Sequence, residues 1–176
     1  MAKKFIILDT ETTGLEVRQG HKIIEIGAVV LNDRKKSSDH FHAYINPGRL
    51  IDEEASKVHG ITNQDLENEP MFAAIADDFI EFIQGSTLII HNAPFDVGFL
   101  NSELKAVSAK YPKLEDICEI EDSLVIARSK FPGQRNSLDA LANRFEVSGY
   151  DRSFHGALLD ANILADVYIY LSLIHI

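Results

Sequence analysis

Phe5-Ile6-Ile7-Leu8-Asp9-Thr10-Glu11-Thr12-Thr13-Gly14 is the stretch whose reading decides the fold. Its apolar start, with Phe5, Ile6 and Ile7 aromatic or β-branched, reads as a buried strand that runs into two carboxylates spaced i, i+2. On a strand that spacing puts Asp9 and Glu11 on one face, where like charges repel unless something cationic lies between them. A divalent metal is the natural candidate. Thr12, Thr13 and Gly14 add hydroxyls and a residue that permits close backbone approach, which suits a nucleotide lying against the strand end. Alone, the pattern also fits a solvated strand end at which Asp9 opens a turn.

Working outward, 15–21 is polar between two glycines and reads as a loop, and 22–31 (Lys-Ile-Ile-Glu-Ile-Gly-Ala-Val-Val-Leu) is the strongest strand signal in the chain. The polar run 32–38 reads as a turn, after which Phe41, Ala43 and Ile45 alternate with His40, His42 and Tyr44. Three strands with short connections predict an antiparallel meander. Beyond it a short helix and loop are expected around 52–62, then a helix starting at Pro70 with Phe72, Ile75, Ala76, Phe79 and Ile83 on one face. Leu88-Ile89-Ile90 reads as a buried strand, and Pro94 as the first residue of a helix, capped near Asn92 or Ala93, that places Asp96 in its first turn. A short strand at 118–120, helices over about 122–130 and from Asn136-Ser137, and a long last helix through Ala157, Ala161, Leu164 and Tyr168 complete the chain.

The 176 residues, 45% hydrophobic and 25% charged, fit one globular domain. The apolar run after Lys3-Lys4 is too short for an export signal or a membrane span, and a single cysteine, Cys118, rules out an internal disulfide. A cytoplasmic setting follows as the expectation. A net charge of −10 excludes holding nucleic acid by a broad basic surface. It leaves room for a nucleic-acid enzyme whose acidic site is neutralised by divalent cations and whose substrate is delivered by a partner.

Asp9, Glu11, Asp96 and Asp160 all stand at ends of elements, with His155 just before the last helix. His155 and Asp160 would diverge by roughly 140° on one helix, but a histidine in the entering loop can converge with Asp160 on one point. With these residues in Asp9-Thr10-Glu11-Thr12-Thr13-Gly14, Asn92-Ala93-Pro94-Phe95-Asp96 and His155-Gly156-Ala157-Leu158-Leu159-Asp160-Ala161, the chain resembles the DEDD family of 3′→5′ exonucleases, in the branch whose fifth residue is histidine. The likeness is strongest to proofreading members in bacterial replicases. It extends through 20–29, Val58-His59-Gly60-Ile61, Asp122-Ser123-Leu124 and 131–141.

The resemblance implies an α/β, ribonuclease-H-like fold: a five-stranded mixed sheet flanked by helices. It also implies release of nucleoside 5′-monophosphates from a single-stranded or frayed DNA 3′ end, with a polymerase catalytic subunit and other replicase subunits as partners and no membrane. Two Mg²⁺ or Mn²⁺ ions about 3.5–4 Å apart suit the in-line displacement. Asp9 is expected to bridge them, Glu11 and Asp160 to complete the ion nearest the attacking water, and Asp96 to hold the other. His155 then takes the water's proton, a task that suits an imidazole's ordinary pKa of about 6.5. Thr12, Glu54, His59 and Phe95 are the expected contacts to the terminal nucleotide, with Leu15 a further wedge. An RNA-trimming relative of the same chemistry, or a silent module that docks on a polymerase, are the competing expectations. The exonuclease domain is expected over 1–170, and 171–176 (Leu-Ser-Leu-Ile-His-Ile) to be a non-native or truncated tail, since it matches a reading frame of a common sequencing adapter.

Overall fold

The computed structural model describes residues 4–174. Five strands, β1 (Phe5–Thr12), β2 (Ile23–Asn32), β3 (Lys35–Tyr44), β4 (Thr87–Ile90) and β5 (Glu119–Asp122), form one sheet in the order β3-β2-β1-β4-β5. The first three make the expected antiparallel meander, while β4 joins β1, and β5 joins β4, in parallel. The sheet is therefore mixed, with β1 at its centre. Ile6, Ile7 and Leu8 are fully buried, each stabilising the fold by about 1.5–3 kcal/mol.

Strand alternation decides where each β1 side chain goes. Ile6 and Leu8 pack with Phe79 and Ile83 of α3 (Phe72–Ile83) and with Phe99, Leu100 and Leu104 of α4 (Ala93–Val107). Ile7 faces the other way, against Ala161, Leu164 and Ala165 of α8 (Ala157–Leu173). Continued by two residues, the same alternation sends Asp9 and Glu11 to the α8 side and Thr10 to the α4 side. A register shift between Glu11 and Thr12 ends the regular pairing with β2 beside the acids.

Five shorter helices complete the chain: α1 (Glu53–His59), α2 (Asn63–Leu66), α5 (Leu114–Ile117), α6 (Ser123–Lys130) and α7 (Leu138–Arg144). Ala127 of α6 and Leu141 of α7 cover the outer side of α8 at Ile163, Val167 and Leu171. Leu171, first residue of the expected tail, is buried there, while His175 and Ile176 lie outside the described residues. No helix among the described residues is long and apolar enough to cross a membrane.

The structure corrects several local expectations. The 15–21 loop contains a 3-10 turn at Val17–Gln19, and α3 begins at Phe72, after Pro70. The 32–38 turn is really two residues: Asp33 and Arg34 have φ of 51° and 67°, and β3 starts at once with Lys35. A two-residue hairpin turn with both central φ positive matches the twist of the strands it joins. Gly14 does permit a close approach, that of the His21 ring, since a Cβ there would lie 2.4–2.6 Å from it.

Candidate active site

Asp9, Glu11 and Asp160 meet at the end of β1, each offering a carboxylate oxygen within 4.8 Å of the others. One residue of β2 makes this possible. Gly27 is the cross-strand neighbour of Asp9, and a Cβ on it would lie 2.2 Å from the backbone nitrogen of Leu158, so α8 begins directly on the sheet. Asp160, in the first turn of α8, is thereby carried to the β1 acids. Asp96 stands outside this triad of oxygens and approaches from α4, where its Oδ1 accepts a 2.6 Å hydrogen bond from the Thr10 hydroxyl.

The start of α4 is fixed by a residue that sequence reasoning quoted but gave no role. Asp122 accepts from the backbone N–H groups of Asn92 and Ala93, and also caps α6 at Leu124. Asn92 can take its left-handed conformation, φ 68°, because that carboxylate satisfies the backbone there.

Burial and mutual repulsion raise the pKa of each of these acids. Burial, then the charges of Asp96, Glu11 and Asp160, push Asp9 well up. Burial, then Asp160 and Glu25, push Glu11 up to about 8. Burial raises Asp96 to about 7 against the lowering effect of the Thr10 hydroxyl. Asp160 is also raised by burial, held back by the nearby Arg152 and His155. A cation among them reverses this penalty, and hard oxygen donors suit Mg²⁺ or Mn²⁺ better than softer metals.

His155 sits where the entering loop meets α8, half-exposed. Its Nδ1 is 3.6 Å from Asp160 Oδ2 and its Nε2 3.8 Å from Asp139 Oδ2. Its backbone N–H donates to the Val58 carbonyl of α1 at 2.9 Å, which ties the loop to the neighbouring helix. Arg152 was missed by the sequence reading. Its guanidinium bonds Asp160 on one side and Asp139 on the other, so the acid cluster carries an internal counter-charge. No short motif marks it, because the contact depends on how the 151–156 loop folds back.

A cavity of about 620 Å³ opens beside the acids, lined by Thr10, Glu11, Thr12, Leu15, His59 and Phe95 among others. The Thr12 hydroxyl donates to the Gly14 carbonyl at 2.6 Å, and Phe95 stacks obliquely on Phe99. His59 is buried with both ring nitrogens committed: Nδ1 accepts from Ile61 N–H, which leaves Nε2 to donate to the Thr12 carbonyl. Glu54 is at the exposed rim, where it pairs with Lys57 at 3.0 Å. The structure thus brings all four predicted nucleotide contacts to one cavity. Leu15, three-quarters exposed, stands at its edge.

Comparison with known proteins bears on this site. A family profile described as Exonuclease matches residues 6–168. The chain is 50% identical over 168 residues to the DNA polymerase III subunit epsilon of Escherichia coli, covering 93% of this chain and 69% of that protein. It is 53% identical over 167 residues to the same subunit of Rickettsia typhi, covering 95% and 73%. Among solved structures, exonuclease X in complex with 5′ overhanging duplex DNA superposes with a TM-score of 0.74 at 28% identity, covering 95% of this chain and 90% of that one. The ribonuclease-H-like fold and an exonuclease chemistry dependent on divalent metal are thus established together. The chain belongs to the DNA polymerase III epsilon-subunit family, the 3′→5′ proofreading exonucleases.

Proposed function

We propose that Asp9, Glu11 and Asp160 hold one divalent cation, Mg²⁺ or Mn²⁺, and that Asp9 with Asp96 holds a second, as the chain excises nucleotides from DNA 3′ ends. The convergence of three carboxylates within 4.8 Å, with His155 beside them, carries this reading. Bound cations supply the neutralising charge that lets a phosphodiester approach and favours hydroxide over water. His155 takes the proton of the attacking water from its half-exposed position at the loop. Thr12, His59 and Phe95 receive the terminal nucleotide in the adjoining cavity, and Glu54 meets it at the rim. A nucleotide must leave its partner base to enter that cavity, and a mismatched terminus gives up less to do so.

A net charge of −10 supplies little general attraction for DNA. We infer a polymerase catalytic subunit, with other replicase subunits, as the partner that delivers the 3′ end, in the cytoplasm.

A primer with a matched or a mismatched 3′ terminus, incubated with Mg²⁺ or Mn²⁺, tests the reading. Stepwise loss from the 3′ end, faster at the mismatch, is expected, with nucleoside 5′-monophosphate as product. Asp9→Ala, Asp96→Ala and Asp160→Ala should abolish it, and His155→Ala should slow it by roughly 10²–10⁴. Endonucleolytic products, or full activity in Asp160→Ala and His155→Ala, would refute the assignment.

A further inference from the structure

Glu25 is an acid the mechanism does not use. It lies on β2 directly opposite Glu11 and is 3% exposed, a costly place for a carboxyl without a task. Its two oxygens are both engaged. Oε2 meets His42 Nε2 on β3 at 2.7 Å, and Oε1 accepts a 2.8 Å hydrogen bond from the buried backbone N–H of Ala157, the first residue of α8. That helix has no cap of its own, because its N-cap is Gly156, which has no side chain to offer.

We propose that Glu25 is a positioning residue for catalysis, capping α8 from 132 residues away and so fixing both His155, two residues before the bond, and Asp160, three residues after it. The Asp160 N–H closes the same turn on the Gly156 carbonyl at 2.7 Å, and Gly27 lets the turn sit on the strand, so the bond from Glu25 sets the helix's height and rotation over Asp9. A carboxyl at this end also suits the helix dipole. His42 keeps the second oxygen turned away, leaving Oε1 to the helix. The proposal rests on the roles given above to His155 and Asp160.

Glu25→Gln and Glu25→Met separate this role from others. The glutamine keeps an acceptor for Ala157; the methionine fills similar volume without one, and both remove a carboxyl facing Glu11. Glu25→Met should lower kcat by about 10–100-fold with KM within about twofold, and should weaken Mn²⁺ binding, read by electron paramagnetic resonance, by about tenfold. Glu25→Gln should stay within about threefold of the parent in all three. Equal losses in both variants would show that charge or direct metal ligation matters, and unchanged kcat in Glu25→Met would show that the cap is irrelevant; either overturns the proposal. Should Glu25→Met not fold, impaired kcat or Mn²⁺ binding in Glu25→Gln is still sufficient to overturn it. Full activity in His155→Ala and Asp160→Ala would instead remove the reading on which it rests.

Discussion

Glu11 keeps its proton up to about pH 8 in the folded chain, against an ordinary value of 4.5, chiefly because it is buried and then because Asp160 and Glu25 face it. The folded state therefore binds a proton that the unfolded chain has already released, so stability present below about pH 4.5 is lost as pH rises toward 8. Asp96, raised to about 7, acts in the same direction. With chelator present, the melting temperature should fall between pH 5.5 and pH 8 by roughly 5 °C or more, and saturating Mn²⁺ should erase the fall. Glu11→Gln should make the fall smaller, and a flat profile in the parent protein would contradict the acid cluster's account. Arg152 supplies the other residue-scale forecast. Because its guanidinium bonds Asp160, an ion that binds there must compete with it. Arg152→Gln should lower the chelated protein's melting temperature while tightening Mn²⁺ binding severalfold by calorimetry. Weaker binding would mean that Arg152 instead holds Asp160 ready for the ion.

At the scale of elements, the site is a contact between one strand end and two helix starts, each fixed by residues on other elements. Asp122 secures α4 by bonding Asn92 and Ala93, whereas α8 is seated on β2 at Gly27. Gly27→Ala should therefore act far beyond its one methyl group, since the added carbon would meet backbone atoms of Ala157 and Leu158 that no rotamer change can move aside. It should lift α8, weaken Mn²⁺ binding by at least about tenfold and lower the melting temperature. Normal binding in that variant would mean that the helix can shift without moving Asp160. β1 and β2 were legible from local residues because both faces are covered and their apolar runs are nearly unbroken. β3 was harder to read. It is the sheet edge, its first residues Lys35 to Ser38 are polar, and the turn before it shows only as positive φ at Asp33 and Arg34. Charged residues on an edge guard against pairing with another chain, and they also hide the strand.

For the whole molecule, residues of the site that sit in short ordered motifs could be found in the sequence, whereas those that act across the fold could not. Asp9, Glu11, Asp96, His155 and Asp160 each lie beside a recognisable strand end or helix start. Glu25, Asp139 and Arg152 reach their partners only after β2, α7 and the 151–156 loop have packed against α8. The far end of α8 poses the same problem. The tail was expected to be non-native or truncated from 171 onward; in the structure Leu171 is fully buried against Ala127, Leu141, Ile163 and Val167, and Lys130 donates to the carbonyls of Leu171 and Ile174. Whatever the origin of those residues, this packing has a measurable weight. A chain ending after Ile174 keeps all of this packing and is the reference for a shorter one. One ending after Tyr170 gives up a buried leucine and the acceptors of Lys130, a loss of about 2–5 kcal/mol by comparison with buried leucine truncations. It should melt several degrees lower, with Mn²⁺ binding retained below the transition because the acids lie at the other end of the helix. Equal melting of the two truncations would place the working boundary of the domain at 170, with Leu171 contributing nothing.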